Sequence, residues 1–289
     1  MLDSGVGHGI GHEVVAVWRY PVKSMGGERL DAVDVRPGGI VGDRRWAVRD
    51  LATGRVASAK RPRPFGALLD WSAATRDDGT VVVTAPDGAT WEAGDPGLDA
   101  ALSSRLGVDV ALDEVEPGAD AAYDSEWPEI PGTTLSDTEA TFATAMMTDK
   151  VAFVDLAALH IVLEESRRRL EAWAGVPTPV ERFRPNLVVR AVADHPPPDG
   201  GDAEALVELG WVDVSARLGE VPVTLTAPAP RCVMTTLDQG GLGPAREVLA
   251  VLAERARVSS EFGTFACFGV YAEVAAPGRV AIGDRLVAA

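Results

Sequence analysis

Up to about residue 115 the apolar positions come in short runs broken by turns. Val14-Val15-Ala16-Val17-Trp18-Arg19-Tyr20 is rich in strand formers and stops at Pro21. Leu30, Val33 and Val35 alternate imperfectly with charges, and Pro37-Gly38-Gly39 marks a turn. Trp46 and Val48 predict a strand over 45–49, and Leu51-Ala52-Thr53-Gly54 a hairpin tip. Thr80 to Thr84 reads as a β-branched strand before the turn Pro86-Asp87-Gly88. Leu98, Ala101, Leu102 and Leu106 fall at helical spacing. Residues 116–150 are irregular and acidic, which predicts a connecting segment with a domain boundary near it.

From residue 151 the pattern changes. Ala152 to Leu156 predicts the start of an apolar strand, and His160-Ile161-Val162-Leu163 runs into a helix over 164–174 with a charged face. Further strands are expected over 185–190, 211–214, 221–226, 268–274 and 280–287. A Pro/Gly/Asp loop is expected over 194–202, and Val248, Leu249, Val251 and Leu252 predict an amphipathic helix over 244–256. Strands dominate, with few helices between them. That excludes a doubly wound parallel sheet and favours a β-rich α+β protein, with a barrel and helices on its outside. The expected division is an N-terminal β-barrel-like domain over 13–115, the connecting segment 116–150 and a second β-barrel domain over 151–289.

Composition narrows the function classes. The chain has 289 residues and a net charge of −16. That charge repels phosphate backbones, so a nucleic-acid partner is not expected. No apolar run approaches the roughly 18 to 20 residues that span a bilayer. The Gly-rich, polar start, Met1 to His12, reads as a frayed tail rather than a signal peptide. The only two cysteines, Cys232 and Cys267, exclude a cage built of several thiolates and fit a reducing cytoplasm. There is no HExxH, no GxSxG and no GxGxxG opening a helix, so zinc-protease, α/β-hydrolase and nicotinamide-dehydrogenase readings have no support.

Against the acidic background the basic clusters stand out: Lys23, Arg44-Arg45, Lys60-Arg61-Pro62-Arg63, Arg182-Phe183-Arg184 and Arg231. Several fall at strand ends or turns, where they could converge on a small anion; each could equally be a solvated charge. Lys23 and Ser24, in a turn after a strand, offer an ammonium, a hydroxyl and exposed amides to an oxyanion. On a strand Arg44 and Arg45 face opposite ways, whereas Arg184 and Asn186 share a face opposite Phe183. Arg184 with Asn186 makes a fork plus an amide, suited to a phosphate or a heterocycle edge. Cys232 follows the proline-stiffened Pro228-Ala229-Pro230-Arg231. On its residues alone it is either a buried small hydrophobe or a thiolate favoured by Arg231 and by the amides of the following turn. Cys267, in an apolar stretch, and His160 read as core.

Taken in order, these segments resemble the MOSC family, the domain at the C-terminus of molybdenum-cofactor sulfurases. Within it they resemble the subgroup that includes the mitochondrial amidoxime-reducing component and its bacterial relatives. The resemblance is carried by Val17-Trp18-Arg19-Tyr20-Pro21-Val22-Lys23-Ser24, Gly42-Asp43-Arg44-Arg45-Trp46 and Ser58-Ala59-Lys60-Arg61. It continues in Phe183-Arg184-Pro185-Asn186, Arg231-Cys232-Val233-Met234-Thr235-Thr236, Phe268-Gly269-Val270-Tyr271 and Gly278-Arg279-Val280-Ala281-Ile282-Gly283-Asp284. It implies an N-terminal β-barrel-like domain packed on a MOSC barrel, and a molybdenum–molybdopterin cofactor with Cys232 as the protein ligand to the metal. Lys23, Ser24, Arg44, Lys60, Arg184, Asn186 and Arg231 would hold the pterin and its phosphate. Leu156-Ala157 stand where eukaryotic members carry a Thr-Ser pair, and Pro230 where a serine can occur, which removes hydroxyl donors. The implied activity is reduction of small N-hydroxylated or N-oxide compounds by oxygen-atom transfer to the metal. With no iron–sulfur cysteine set, electrons would come from a separate iron–sulfur, haem or flavin protein. Two other readings remain open: a non-catalytic cofactor or sulfur carrier with a persulfide on Cys232, and a thiol redox protein using Cys232 and Cys267.

Overall fold

The computed structural model describes residues 10–114, 152–154, 156–192, 206–260 and 263–289. The N-terminal half supplies strands β1 (Gly11–Arg19), β2 (Glu28–Leu30), β3 (Ala32–Arg36), β4 (Gly39–Ile40) and β5 (Trp46–Asp50), then the short helix α1 (Pro62–Phe65). It continues with β6 (Ser72–Thr75), β7 (Val81–Thr84), β8 (Thr90–Glu92), helix α2 (Pro96–Leu106) and β9 (Val110–Glu114). The C-terminal half supplies β10 (Leu159–Leu163), α3 (Glu164–Ala174), β11 (Leu187–Ala191), β12 (Val214–Leu218) and β13 (Val221–Pro230). After these come α4 (Arg246–Arg255), β14 (Arg257–Ser260), β15 (Gly263–Val274), β16 (Gly278–Ala281) and β17 (Arg285–Ala288). The protein is β-rich α+β, as expected.

Seven strands close a barrel in the order β10-β11-β1-β17-β12-β13-β15, with β15 pairing back onto β10. Closure leaves no free sheet edge along this path. Period-two side chains fill the interior, Val221, Val223 and Leu225 from β13 and Val270, Ala272 and Val274 from β15, and Val14 and Val17 of β1 join them across a β-bulge. Strand β1 belongs to the N-terminal half in sequence, yet it pairs with β11 and β17. Likewise β3 pairs with β16. The two halves of the chain are therefore interleaved through strand pairing.

A second core packs Met25, Val48, Phe65, Leu68, Trp71 and Val83 against Leu98, Leu102 and Leu106 of α2. Helix α2 has local reasons to form. Asp95 caps it by accepting the Gly97 N–H at 2.7 Å, Pro96 opens it, and Gly107 closes it with a left-handed φ of 71°. Outside the barrel, Leu170 of α3 and Val248 and Leu252 of α4 share a third core with Phe183 and Phe268.

Four expectations are corrected. His12 is buried in β1 opposite Ala191, not in a tail; residues 1–9, with His8, lie outside the described residues. Ala152, Phe153, Val154 and Leu156 are not in a strand; the strand is 159–163, directly before α3. All five of its residues are buried, and a fully buried apolar run has no period that distinguishes strand from helix. Residues 211–213 are not in a strand, Asp213 being left-handed at φ 56°, and the strand begins at Val214. The run expected over 280–287 divides into β16 and β17 at Gly283, φ 94°. The connecting segment 116–150 and the loop over 194–202 with His195 lie wholly outside the described residues.

Candidate functional site

Strand β1 ends at Arg19, and Tyr20-Pro21 lead into the turn that carries Lys23 and Ser24. Lys23 is 5 % exposed and its Nζ donates to the Phe153 carbonyl at 3.1 Å. The Phe153 N–H donates in turn to the Arg44 carbonyl at 2.7 Å. Arg44 pairs with Asp43 and donates to the Arg184 carbonyl at 3.2 Å. Arg184 is 9 % exposed and its guanidinium donates to the Met25 carbonyl, beside Ser24. Four cation-bearing or hydroxyl-bearing positions from three distant segments are thereby joined into one set. Ser24 Oγ accepts the Ala59 N–H at 3.1 Å, which brings the neighbouring Lys60 backbone alongside. Arg45 goes elsewhere: it is exposed and paired with Glu114.

Backbone conformation marks the same residues. Among the described residues, the non-glycine positions with positive φ are Ser24 (65°), Arg44 (47°), Arg184 (52°) and Asp213 (56°). Left-handed backbone costs a residue with a β-carbon about 1 kcal/mol, and such strain gathers where geometry is imposed for a purpose. This corrects the assumption that Arg44 and Arg184 sit on strands. Arg44 precedes β5, and Arg184 closes a 3-10 turn, Val180–Phe183, before Pro185 bars further helix. Strand alternation therefore does not decide where either guanidinium points.

Asn186 is buried under the set. Its Oδ1 accepts the His160 N–H at 3.2 Å, and its own carbonyl accepts the Trp18 N–H at 2.8 Å. His160 is buried as expected, with Nε2 3.2 Å from the Phe268 carbonyl and its ring edge-on to Tyr271 at 5.7 Å. Burial holds its pKa well below the usual histidine value, and the Arg231 and Arg44 charges push the same way.

Cys232 lies just past β13. Pro228 and Pro230 pair with Val270 and Cys267, and the register slips between them where Gly269 bulges at φ 77°. Arg231 is held by its own N–H to the Ala266 carbonyl at 2.8 Å. Its guanidinium is tied to the Ala229 and Phe183 carbonyls at 3.0 and 3.3 Å and to the Tyr271 hydroxyl at 3.2 Å. Cys232 itself is half-buried and opens the 3-10 turn Val233–Thr236. Arg182 clamps the loop that follows through the Leu237, Leu242 and Gly243 carbonyls. Cys267 is buried, and burial pushes its thiol up to about 11 despite the nearby Arg231 charge. No cluster of three or more His, Cys, Asp or Glu side chains occurs among the described residues.

Sequence reasoning missed Tyr20, whose ring lies 4.9 Å from the Arg44 guanidinium and 4.4 Å from that of Arg184. It also missed Tyr271, the partner of Arg231. An aromatic directly before Pro-Val-Lys-Ser was the available signal for the first; nothing local pointed to the second.

The chain thus combines a closed seven-stranded barrel with a half-buried thiol beside a fixed arginine. The chain carries a MOSC domain over residues 148–287 and a MOSC N-terminal beta barrel domain over residues 11–114. Mitochondrial amidoxime reducing component 2 of Rattus norvegicus is 29 % identical over 140 residues, which take in 47 % of this chain and 38 % of that protein. Among solved structures, the YuaD protein from Bacillus subtilis aligns over 96 % of this chain and 94 % of its own, at 12 % identity and a TM-score of 0.44. YiiM from Geobacillus stearothermophilus aligns over 46 % of this chain and 54 % of its own, at 15 % identity and a TM-score of 0.32. Among the described residues no helix is long and apolar enough to cross a membrane.

Proposed function

We propose that the protein is a molybdenum-cofactor oxidoreductase that reduces small N-hydroxylated or N-oxide compounds. One observation carries the reading: a half-buried thiol adjoins Arg231, while the adjoining turns hold Lys23, Arg44 and Arg184 in one hydrogen-bonded set. This donor set fits the cofactor. A single soft thiolate suits a metal already held by sulfur, and guanidinium forks suit a phosphate. When bound, the group would supply a metal that accepts the oxygen of a substrate N–O bond.

The chain's own part is to bind and to orient. Cys232 opens a turn beside Arg231, and the loop that offers its sulfur is clamped by Arg182. Arg44 and Arg184 would hold the phosphate, with Lys23 and Ser24 beside them. Arg231 is fixed by carbonyls and by Tyr271, so it needs little reorganisation on binding. Electrons would arrive from a separate donor protein, since the sequence holds no four-cysteine iron–sulfur pattern. The thiol-redox alternative is disfavoured by the buried, high-pKa Cys267.

The test is activity of protein made in cells that synthesise the cofactor. An aromatic amidoxime should be reduced with reduced viologen as donor, and the activity should vanish in cells unable to make the pterin. Metal-free protein carrying a persulfide on Cys232 would replace the enzyme reading with that of a sulfur carrier.

A further inference from the structure

The ring of Tyr20 stands against two cations that come from distant parts of the chain. The guanidinium carbons of Arg44 and Arg184 are 4.9 and 4.4 Å from its centroid, inside the roughly 6 Å over which an aromatic face attracts a cation. The ring cannot move aside. Tyr20 is 2 % exposed, its N–H donates to Asp43 Oδ1 at 2.7 Å, and its carbonyl accepts the Arg44 N–H at 2.6 Å. Trp18 stacks on it at 6.3 Å with planes 14° apart.

The hydroxyl plays no part in this: it is buried and has no hydrogen-bond partner. Burial also raises the phenol's pKa far above its usual value, although both guanidiniums pull it down. The ring therefore stays neutral and adds no negative charge beside the two guanidiniums. The ring face adds to the Asp43, Arg184 and Met25 contacts that also hold the two guanidiniums.

We propose that Tyr20 is a positioning residue whose ring face holds the Arg44 and Arg184 guanidiniums in place as a preformed cradle for a phosphate monoester. The inference rests on the function proposed above for the identity of that monoester, but the cradle itself can be tested without the cofactor. Inorganic phosphate serves as the probe, read by the side-chain Nε–H NMR signals of Arg44 and Arg184. Tyr20→Phe keeps the face and loses only the unpartnered hydroxyl. It should bind phosphate as the wild type does and be no less stable to urea. Tyr20→Leu should broaden both arginine signals and weaken phosphate binding by roughly three- to thirtyfold. If the leucine variant does not fold, pentafluorophenylalanine at position 20 keeps the ring's shape while reversing its quadrupole, and should weaken binding to the same degree.

Unchanged phosphate affinity with the fluorinated ring or with leucine would overturn the proposal. So would a Tyr20→Phe variant as weak as the leucine one, because the hydroxyl would then be the contact. A wild type whose two arginine signals ignore phosphate overturns it as well. Protein that passes these tests yet never acquires molybdenum or pterin would refute the oxidoreductase reading and leave the cradle standing.

Discussion

Arg44 donates a guanidinium N–H to the backbone carbonyl of Arg184 at 3.2 Å, although the two residues stand 140 positions apart. Each is left-handed. The bond links the turn before β5 to the turn before β11, so the cation group depends on both halves of the chain.

The strain at Arg184 can be separated from its binding role. Arg184→Gly and Arg184→Ala both remove the guanidinium, but only glycine relieves the left-handed backbone. The glycine variant should be the more stable by about 1 kcal/mol in urea denaturation. Both should lose phosphate binding. Equal stabilities would mean that the positive φ carries no cost.

The two thiols should differ sharply in reactivity. Cys232 is half-buried and begins a turn; Cys267 is buried, with its thiol raised to about 11. Alkylation of the native protein with iodoacetamide at pH 8 should modify Cys232 alone, and both cysteines only after unfolding. Mass spectrometry of the peptides reads this directly. Native labelling of Cys267 at a comparable rate would contradict the burial.

Two buried groups should give stability opposite slopes with pH. Glu208 is fully buried; its Oε2 accepts the Ser166 hydroxyl at 2.6 Å and its Oε1 has no partner. Burial raises its pKa, against the pull of the Ser166 hydrogen bond. The folded protein then keeps a proton that the unfolded chain has released. Stability therefore falls as pH rises from the ordinary glutamate value of about 4.3 toward the raised one. His160 acts in the other direction. Its pKa is lowered by burial first, so the unfolded chain takes up a proton that the folded protein refuses, and stability falls as pH drops below about 6.5. Each slope is at most about 1.4 kcal/mol per pH unit. Urea midpoints between pH 4.5 and 8 should show Glu208→Gln removing the loss on the alkaline side and His160→Gln the loss on the acid side. Profiles parallel to the wild type would count against both assignments.

Gly269 tests the barrel closure beside the site. A β-carbon there would meet His160 Nε2 at 2.5 Å and the Ile161 carbonyl at 2.7 Å, on a backbone at φ 77°. Neither neighbour is the loose end of a flexible chain. Gly269→Ala should cost about 2 kcal/mol or more in unfolding free energy. A loss below half that would mean the bulge adapts easily.

Much of the fold could be read from period and turn chemistry. The helix expected over 164–174 is α3, the spacing of Leu98, Leu102 and Leu106 is α2, and the β-branched stretch at 80–84 is β7. What failed was what period cannot carry. β1 gave no sign that its partners lay some 170 positions away in β11. At the site, residue types pointed to cations and a thiol. The left-handed turns at Ser24, Arg44 and Arg184 were invisible because these residues rarely adopt that backbone. Tyr20 passed for an ordinary strand-end aromatic, since only the folded chain sets it against both arginines.

The central claim is that one sulfur, that of Cys232, ligates a cofactor-bound metal. It is tested most directly by molybdenum per chain in wild type and in Cys232→Ser, both purified from cells that make the cofactor. Near-stoichiometric metal in the wild type, and at least a tenfold drop in a serine variant of unchanged thermal stability, is the expected result. Equal molybdenum in both proteins, or none in either when pterin is abundant, would contradict it.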